Sequence, residues 1–167
     1  MELNEQLSEM IAEDTMPVRT LIAEAMNEDE GAWAEITIRR HFELQRLGIF
    51  DGRHYFLHRE GPVIEGIVGL HHYEWGPKEN VWLGWFAVAP SFQGKGIGKG
   101  LLLSIQARAW QLGYQKLFIE TYSSPTFARA RVFYSRNGFW EVGRISGYLS
   151  DGSDMVVYGK NLDPRGI

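Results

Sequence analysis

The run Val81-Trp82-Leu83-Gly84-Trp85-Phe86-Ala87-Val88, followed after Ala89-Pro90-Ser91-Phe92 by Gln93-Gly94-Lys95-Gly96-Ile97-Gly98, decides how this chain folds. The first part is almost wholly apolar, rich in aromatic and β-branched residues and bounded by Pro90, which is the pattern of a buried strand. Beyond the glycines the period changes. Leu101, Leu102, Ile105, Ala109 and Leu112 recur at three- and four-residue spacing, and Gly113 supplies a C-terminal stop. A helix therefore begins inside the glycines. Its first turn carries unpaired N–H groups and roughly half a positive charge. Gly94, Gly96 and Gly98 can adopt positive φ and present no Cβ, which lets those amides approach an anion closely, with Lys95 and Lys99 adding charge at the rim. The turn reads as a phosphate site, and a pyrophosphate suits it.

Two familiar phosphate loops do not fit. The P-loop pattern needs Ser or Thr after its lysine, but Lys99 is followed by Gly100, and position 93 is Gln. The dinucleotide pattern Gly-x-Gly-x-x-Gly fails from Gly94, where the sixth residue is Lys99, and from Gly96, where it is Leu101. The pattern Gln/Arg-x-x-Gly-x-Gly/Ala does match, through Gln93, Gly96 and Gly98. A second segment, Ala130-Arg131-Val132-Phe133-Tyr134-Ser135-Arg136-Asn137-Gly138-Phe139, has the spacing Ala-x-x-Phe-Tyr-x-x-x-Gly-Phe. Together these two segments resemble the signatures of the GNAT superfamily of acyl-CoA-dependent N-acyltransferases, over the chain from about Val81 to Phe139.

The resemblance implies that Gln93, Gly94, Lys95, Gly96, Ile97, Gly98 and Lys99 hold the pyrophosphate of acetyl-CoA, the acyl donor. It also implies that the backbone of Phe86, Ala87 and Val88 meets the pantetheine amides where a parallel strand pair splays at a bulge. Gly84 is the expected bulge, or else a close-packing position beneath Trp82 or Trp85. The family's tyrosine, here Tyr134, stands beside the CoA sulfur. Many members carry Asn seven residues before that tyrosine, where this chain has Phe127. The segment from Glu120 to Arg131 resembles a subgroup with Thr-Ser and Ala-Arg elements before the Phe-Tyr pair.

Around this centre the chain reads as one domain, residues 1–167, of mixed α/β class. Leu3 to Ile11 is a strand or part of a helix. Asp14 caps a helix with Val18, Leu21, Ile22 and Ala25 on its apolar face, and a second helix covers Trp33 to Leu47. His54 to His58 and Val63 to Tyr73 form a hairpin through Glu60-Gly61-Pro62. Lys116 to Thr121 is a strand laid parallel to its predecessor by a right-handed crossover, the one parallel pair expected. Phe139 to Ile145 and Met155 to Lys160 are antiparallel strands flanking a turn at Ser150-Asp151-Gly152-Ser153. The outcome is a mixed, mostly antiparallel sheet with helices on both faces.

Composition narrows the partners. With 167 residues, 44% hydrophobic and 23% charged, the chain can bury a real core. Having no cysteine, it has no disulfide, no thiolate nucleophile and no Cys-ligated zinc. The acidic start Met1-Glu2-Leu3-Asn4-Glu5 lacks a signal core, and no apolar run approaches a membrane span of about 18 residues. The expectation is a cytoplasmic protein. A net charge of -4 and the lack of a basic, aromatic-interleaved stripe argue against nucleic acid and agree with a cationic substrate. No metal is expected, since His54 and His58 stand about 13 Å apart along a strand and read as surface residues. His71 and His72 point to opposite faces, so at most one reaches the cleft. The tryptophans read chiefly as core, with Trp85 or Trp75 near an acceptor pocket. The oligomeric state is open, a homodimer included.

Acyl transfer to an amine needs a neutral amine, a polarised carbonyl and a proton for the departing thiolate. Tyr134 is the candidate acid, its phenol ordinarily titrating near about 10. No carboxylate lies between Val81 and Val88, so the candidate base is Glu120, at the end of the next strand. Glu120 is alternatively solvated or paired with Arg131, which is itself either structural or a contact for a substrate carboxylate, and a pathway with no single dedicated base stays open beside it. Two functions follow: an N-acetyltransferase acting on a primary amine of a small molecule or peptide, or a non-catalytic acyl-CoA-binding regulatory module.

Overall fold

A computed structural model describes residues 7–163. Seven strands, β1 (Leu7–Glu9), β2 (Arg53–Glu60), β3 (Val63–His71), β4 (Asn80–Val88), β5 (Lys116–Tyr122), β6 (Trp140–Ile145) and β7 (Met155–Asn161), form one sheet in the order β1-β2-β3-β4-β5-β7-β6. Every neighbouring pair is antiparallel except β4 and β5. The helices are α1 (Thr15–Ala25), α2 (Glu28–Arg46), α3 (Ile97–Gln111) and α4 (Ala128–Arg136). The mixed sheet with a single parallel pair is the architecture expected from the sequence. No helix among the described residues is long and apolar enough to cross a membrane.

Two cores sandwich the sheet. On one face Val18, Leu21 and Ile22 of α1 and Ala34 and Ile38 of α2 pack against Leu57, Ile67 and Ala87. On the other, Leu101, Leu102 and Ile105 of α3, with Tyr134 of α4, pack against Val68, Leu70, Val81, Leu117 and Ile119. Each fully buried Leu or Ile there contributes about 1.5–3 kcal/mol of transfer free energy. The helical and two-residue periods of the sequence thus map directly onto opposing layers.

Several boundaries differ from the sequence reading. The second helix starts at Glu28 rather than Trp33, because the Asn27 side chain accepts from Glu30 N at 2.9 Å and three acidic residues follow at the positive end of the helix dipole. Within Leu3 to Ile11, a strand runs over Leu7–Glu9, and residues 1–6 lie outside the described residues. Asp14 does occupy the cap position of α1, yet its carboxylate serves the preceding turn, accepting from Ile11 N at 3.0 Å and Arg59 Nη2 at 2.8 Å. β3 stops at His71, since His72 N–H turns to Gly52 O and its ring Nδ1 lies 2.9 Å from Asn80 O.

Two side-chain expectations fail. His54 and His58 are not surface residues: His58 Nδ1 lies 2.9 Å from Glu65 Oε2, and His54 is half-buried with its ring stacked on Phe56. Nor do the tryptophans mostly fill the core, since Trp33, Trp75, Trp110 and Trp140 are all exposed, Trp75 to 85%. Their elements bury aliphatic side chains instead. Trp82 and Trp85 alone are held in the sheet's partly buried interior.

Candidate active site

The parallel ladder is short. β4 and β5 pair only at Asn80↔Lys116, Val81↔Leu117 and Trp82↔Phe118, after which the strands part and leave the β5-facing edge of β4 open. The parting coincides with an irregularity on the β3 side. Leu70 pairs with Leu83 and Val68 with Phe86, so two steps on β3 span three on β4, and the extra residue falls at Gly84 and Trp85. The side chains record it: Val81 and Leu83 pack with the α3 core, but after the bulge Phe86 and Val88 do so, while Trp85, Ala87 and Ala89 join the α1–α2 core. Gly84 is also a close-packing site. A Cβ there would stand 3.2 Å from the Gly69 carbonyl carbon, so the crowding comes from the backbone of β3. The bulge reading of Gly84 holds, and the close packing there is against the Gly69 backbone.

At the far end of β4 the glycine turn opens into α3. Gly94 and Gly96 have φ of 77° and 87°, and Gly96 is the helix N-cap with no side-chain cap. The first intrahelical bond runs from Gly100 N to Gly96 O at 3.0 Å, which leaves the amides of Ile97, Gly98 and Lys99 without helical acceptors. Gly98 does not use that freedom: its φ is not positive, and an added Cβ would meet Val88 and Phe133 at ordinary contact distances of 3.6 and 3.8 Å. It sits inside the helix, where φ is already fixed. Gln93 donates from Nε2 to Val88 O at 3.0 Å and staples the turn to the strand end. Lys99 lines the cleft, whereas the Lys95 ammonium sits 4.9 Å over the Phe92 ring and Ile97 packs inward on the α3 core.

The opening between the strands is a cleft of about 800 Å³ that joins the glycine turn, the edge of β4 with Phe86, Ala87 and Val88, Tyr134, and the end of β5. Tyr134 is buried among Phe86, Phe133, Phe139 and Tyr158, with ring centroids 5.7–6.3 Å away, and still borders the cleft. Burial alone pushes its phenol well above the ordinary range, and no hydrogen bond among the described residues offsets it. Packing and cleft exposure therefore coexist at this residue.

β5 divides the cleft by its alternation. Leu117 and Ile119 point to the α3 core, so Glu120 and Tyr122 point to the α1–α2 side. There Glu120 accepts a 2.7 Å hydrogen bond from the Tyr122 hydroxyl. The expected pairing with Arg131 does not form. Arg131 Nη1 donates instead to the carbonyls of Tyr122 and Ser124, the latter at 3.0 Å, so its charge is used to close the loop before α4. Burial and then the Glu120 carboxylate raise the Tyr122 phenol. Phe127 lines the same wall, its ring edge-on to Tyr122 at 5.3 Å.

Sequence reasoning missed Glu30. From the first turn of α2 it lines the cleft opposite Glu120, and its carboxyl is raised by burial, then by Asp29 and by Glu120 itself. The signal available was Asn27 followed by three acidic residues, which marks a helix start. His71 and Tyr73 border this end too, and burial depresses the His71 imidazole to about 4, leaving it neutral near pH 7. Trp85 lines the cleft with Nε1 donating to Thr37 Oγ1 at 2.8 Å, but Trp75 stands away from it. Among the described residues no group of three His, Asp or Glu side chains is placed to hold a metal ion.

The bulged strand, its parting from the parallel neighbour and the uncapped glycine-led helix all fall within the segment that a comparison with protein families matches. The model described as "Acetyltransferase (GNAT) domain" matches residues 51–141, more than half of the chain. The chain belongs to the GNAT family of acetyltransferases. Among solved structures, a GNAT-family protein from Desulfovibrio desulfuricans superposes with a TM-score of 0.84 at 22% identity, over 94% of this chain and 98% of that one. The ribosomal-protein-S18-alanine N-acetyltransferase of Escherichia coli gives 0.73 at 19% identity, over 94% and 93%. A GNAT acetyltransferase from Elizabethkingia anophelis, solved with acetyl-CoA bound, gives 0.70 at 21% identity, over 93% and 97%. A search of curated protein sequences finds no match. At these identities the GNAT structures support the fold, and the chemistry of this chain rests on its own residues.

Proposed function

We propose that this GNAT protein is an N-acetyltransferase that moves the acetyl group of acetyl-CoA to a primary amine of a small molecule or peptide. The observation that carries the reading is the continuous cleft from the glycine turn and the uncapped helix start at Gly98 and Lys99, along the unpaired edge of β4, to Tyr134 and Glu120. The pyrophosphate would lie on the glycine turn, and the pantetheine amides would pair with the backbone of Phe86, Ala87 and Val88 as a missing strand would. The acetyl-CoA-bound neighbour of the same fold supports this donor.

The amine reaches the thioester from the α1–α2 side, where Glu30 and Glu120 hold negative potential suited to a cationic acceptor. Glu120, directly or through a water, takes the proton that leaves nitrogen as the N–C bond forms. The tetrahedral intermediate then expels the CoA thiolate with cleavage of the C–S bond, and Tyr134 supplies its proton. Burial keeps Tyr134 in the donor form beforehand. The same burial makes full transfer uphill, so its hydrogen bond to sulfur, strengthening as charge develops, does the larger part.

The test is acetyl-CoA-dependent thiol release across amino acids, polyamines, aminoglycosides and peptides. At least one amine should give saturable release with matching acetylated product. Binding of acetyl-CoA without release for any amine would overturn the enzymatic reading in favour of a regulatory acyl-CoA-binding module.

A further inference from the structure

One buried group in the cleft is left over by this chemistry. Thr121 follows Leu117 and Ile119 on the α3–α4 side of β5, opposite in direction to Glu120 and Tyr122. It is 3% exposed, it lines the cleft, and its Oγ1 has no hydrogen-bond partner among the described residues. A buried hydroxyl without a partner loses its hydration and gains nothing in return. Valine has the same shape, packs better in a strand and would suit the neighbouring Ile119 and the paired Val156. Packing therefore gives no reason for a hydroxyl here.

The place of Thr121 supplies one. β4 and β5 last pair at Trp82↔Phe118, so by Thr121 the two strands have parted and no chain fills the space between them. Resting on the proposed acetyl-CoA reading, we infer that Thr121 is a cofactor-binding residue whose hydroxyl donates a hydrogen bond to a carbonyl oxygen of the acyl-CoA arm. That oxygen belongs to the thioester or to a pantetheine amide. Both are neutral acceptors, and a neutral, water-excluded hydroxyl matches them better than a charged group would.

The experiment compares wild type, Thr121→Val and Thr121→Ser by calorimetric titration with CoA and acetyl-CoA and by thermal melting with and without each. Thr121→Val should melt about 2–4 °C higher without ligand, because an unsatisfied buried hydroxyl is gone. It should also bind about five- to thirty-fold more weakly. Thr121→Ser should restore most of the affinity. Weakening of CoA and acetyl-CoA alike assigns the hydrogen bond to a pantetheine amide, and weakening of acetyl-CoA alone assigns it to the thioester. Thr121→Val binding both ligands as wild type does overturns the inference while leaving the cofactor reading intact, and so does a lower melting temperature without ligand. Wild type binding neither ligand overturns the cofactor reading and this inference with it.

Discussion

The Tyr122 hydroxyl donates to Glu120 Oε1 across 2.7 Å, two residues along one face of β5. The bond holds the carboxylate in one orientation at the cleft wall without placing a cation beside it. If Glu120 accepts the amine's proton, Glu120→Gln should lower kcat by about 10²-fold or more, and Tyr122→Phe by a smaller factor through lost positioning. Neither should change the KM for acetyl-CoA. Steady-state kinetics with a turned-over amine decide it, and a Glu120→Gln variant of wild-type kcat would remove the residue from the mechanism.

Tyr134→Phe should reduce turnover by about 10²-fold with acetyl-CoA affinity nearly unchanged, since the ring keeps its packing against Phe86 and Phe139. Because burial raises this phenol, the alkaline limb of the wild-type profile should show no inflection near the ordinary tyrosine value of about 10. An inflection there that vanishes in the Phe variant would contradict the buried-acid description.

The glycine turn gives a paired test. Gly96 needs its positive φ and lies in open space, so Gly96→Asp adds strain and a negative charge at the helix N-terminus. CoA affinity should drop by at least about tenfold in a protein that still folds. Gly98→Ala, at an ordinary φ with room for a Cβ, should bind CoA within about twofold of wild type. Equal affinity in both variants would separate the turn from the phosphate.

Glu30 predicts a pH dependence. Burial, Asp29 and Glu120 raise its folded-state pKa above the ordinary 4.5. A raised carboxyl penalises folding when both states are ionised, above its folded pKa, and the penalty is relieved as pH falls towards the unfolded value. Glu30→Gln should therefore melt higher than wild type near pH 7, with the gain fading below about 4.5. The same change should raise the KM of a cationic acceptor without affecting acetyl-CoA. Melting curves across pH check the first claim and acceptor kinetics the second.

Gly84→Ala should destabilise by about 1–3 kcal/mol, because its Cβ would press on the Gly69 backbone, which is held from its other side by pairing with Tyr55 of β2. Chemical denaturation measures it, and an unperturbed midpoint would mean the two strands slide apart freely.

What could be read without coordinates was what is encoded locally. The apolar run of β4, the glycines at the head of α3 and the tyrosine of α4 each announce themselves within a dozen residues, and so the parallel pair and the cleft followed. What escaped depends on partners distant in sequence. His58 looked like a surface residue because Glu65 reaches it across a hairpin, and Arg131 looked like a partner for Glu120 because the carbonyls it holds, at Tyr122 and Ser124, carry no signal in side-chain identity. Glu30 was hidden by its polar surroundings, and it gains meaning only when the start of α2 meets the end of β5 across the cleft.

The extra residue at Gly84 and Trp85 has a consequence for how such a site can change. It sets the reading frame of everything after it in β4, so that Phe86 and Val88 face one layer and Ala87 the other. Exchanging any one of those side chains alters a single wall. Deleting one residue at the bulge would instead turn the segment inside out, sending the phenylalanine and valine into the space of an alanine. This stretch can drift by substitution but not by insertion or deletion, and its length is under tighter restraint than its composition.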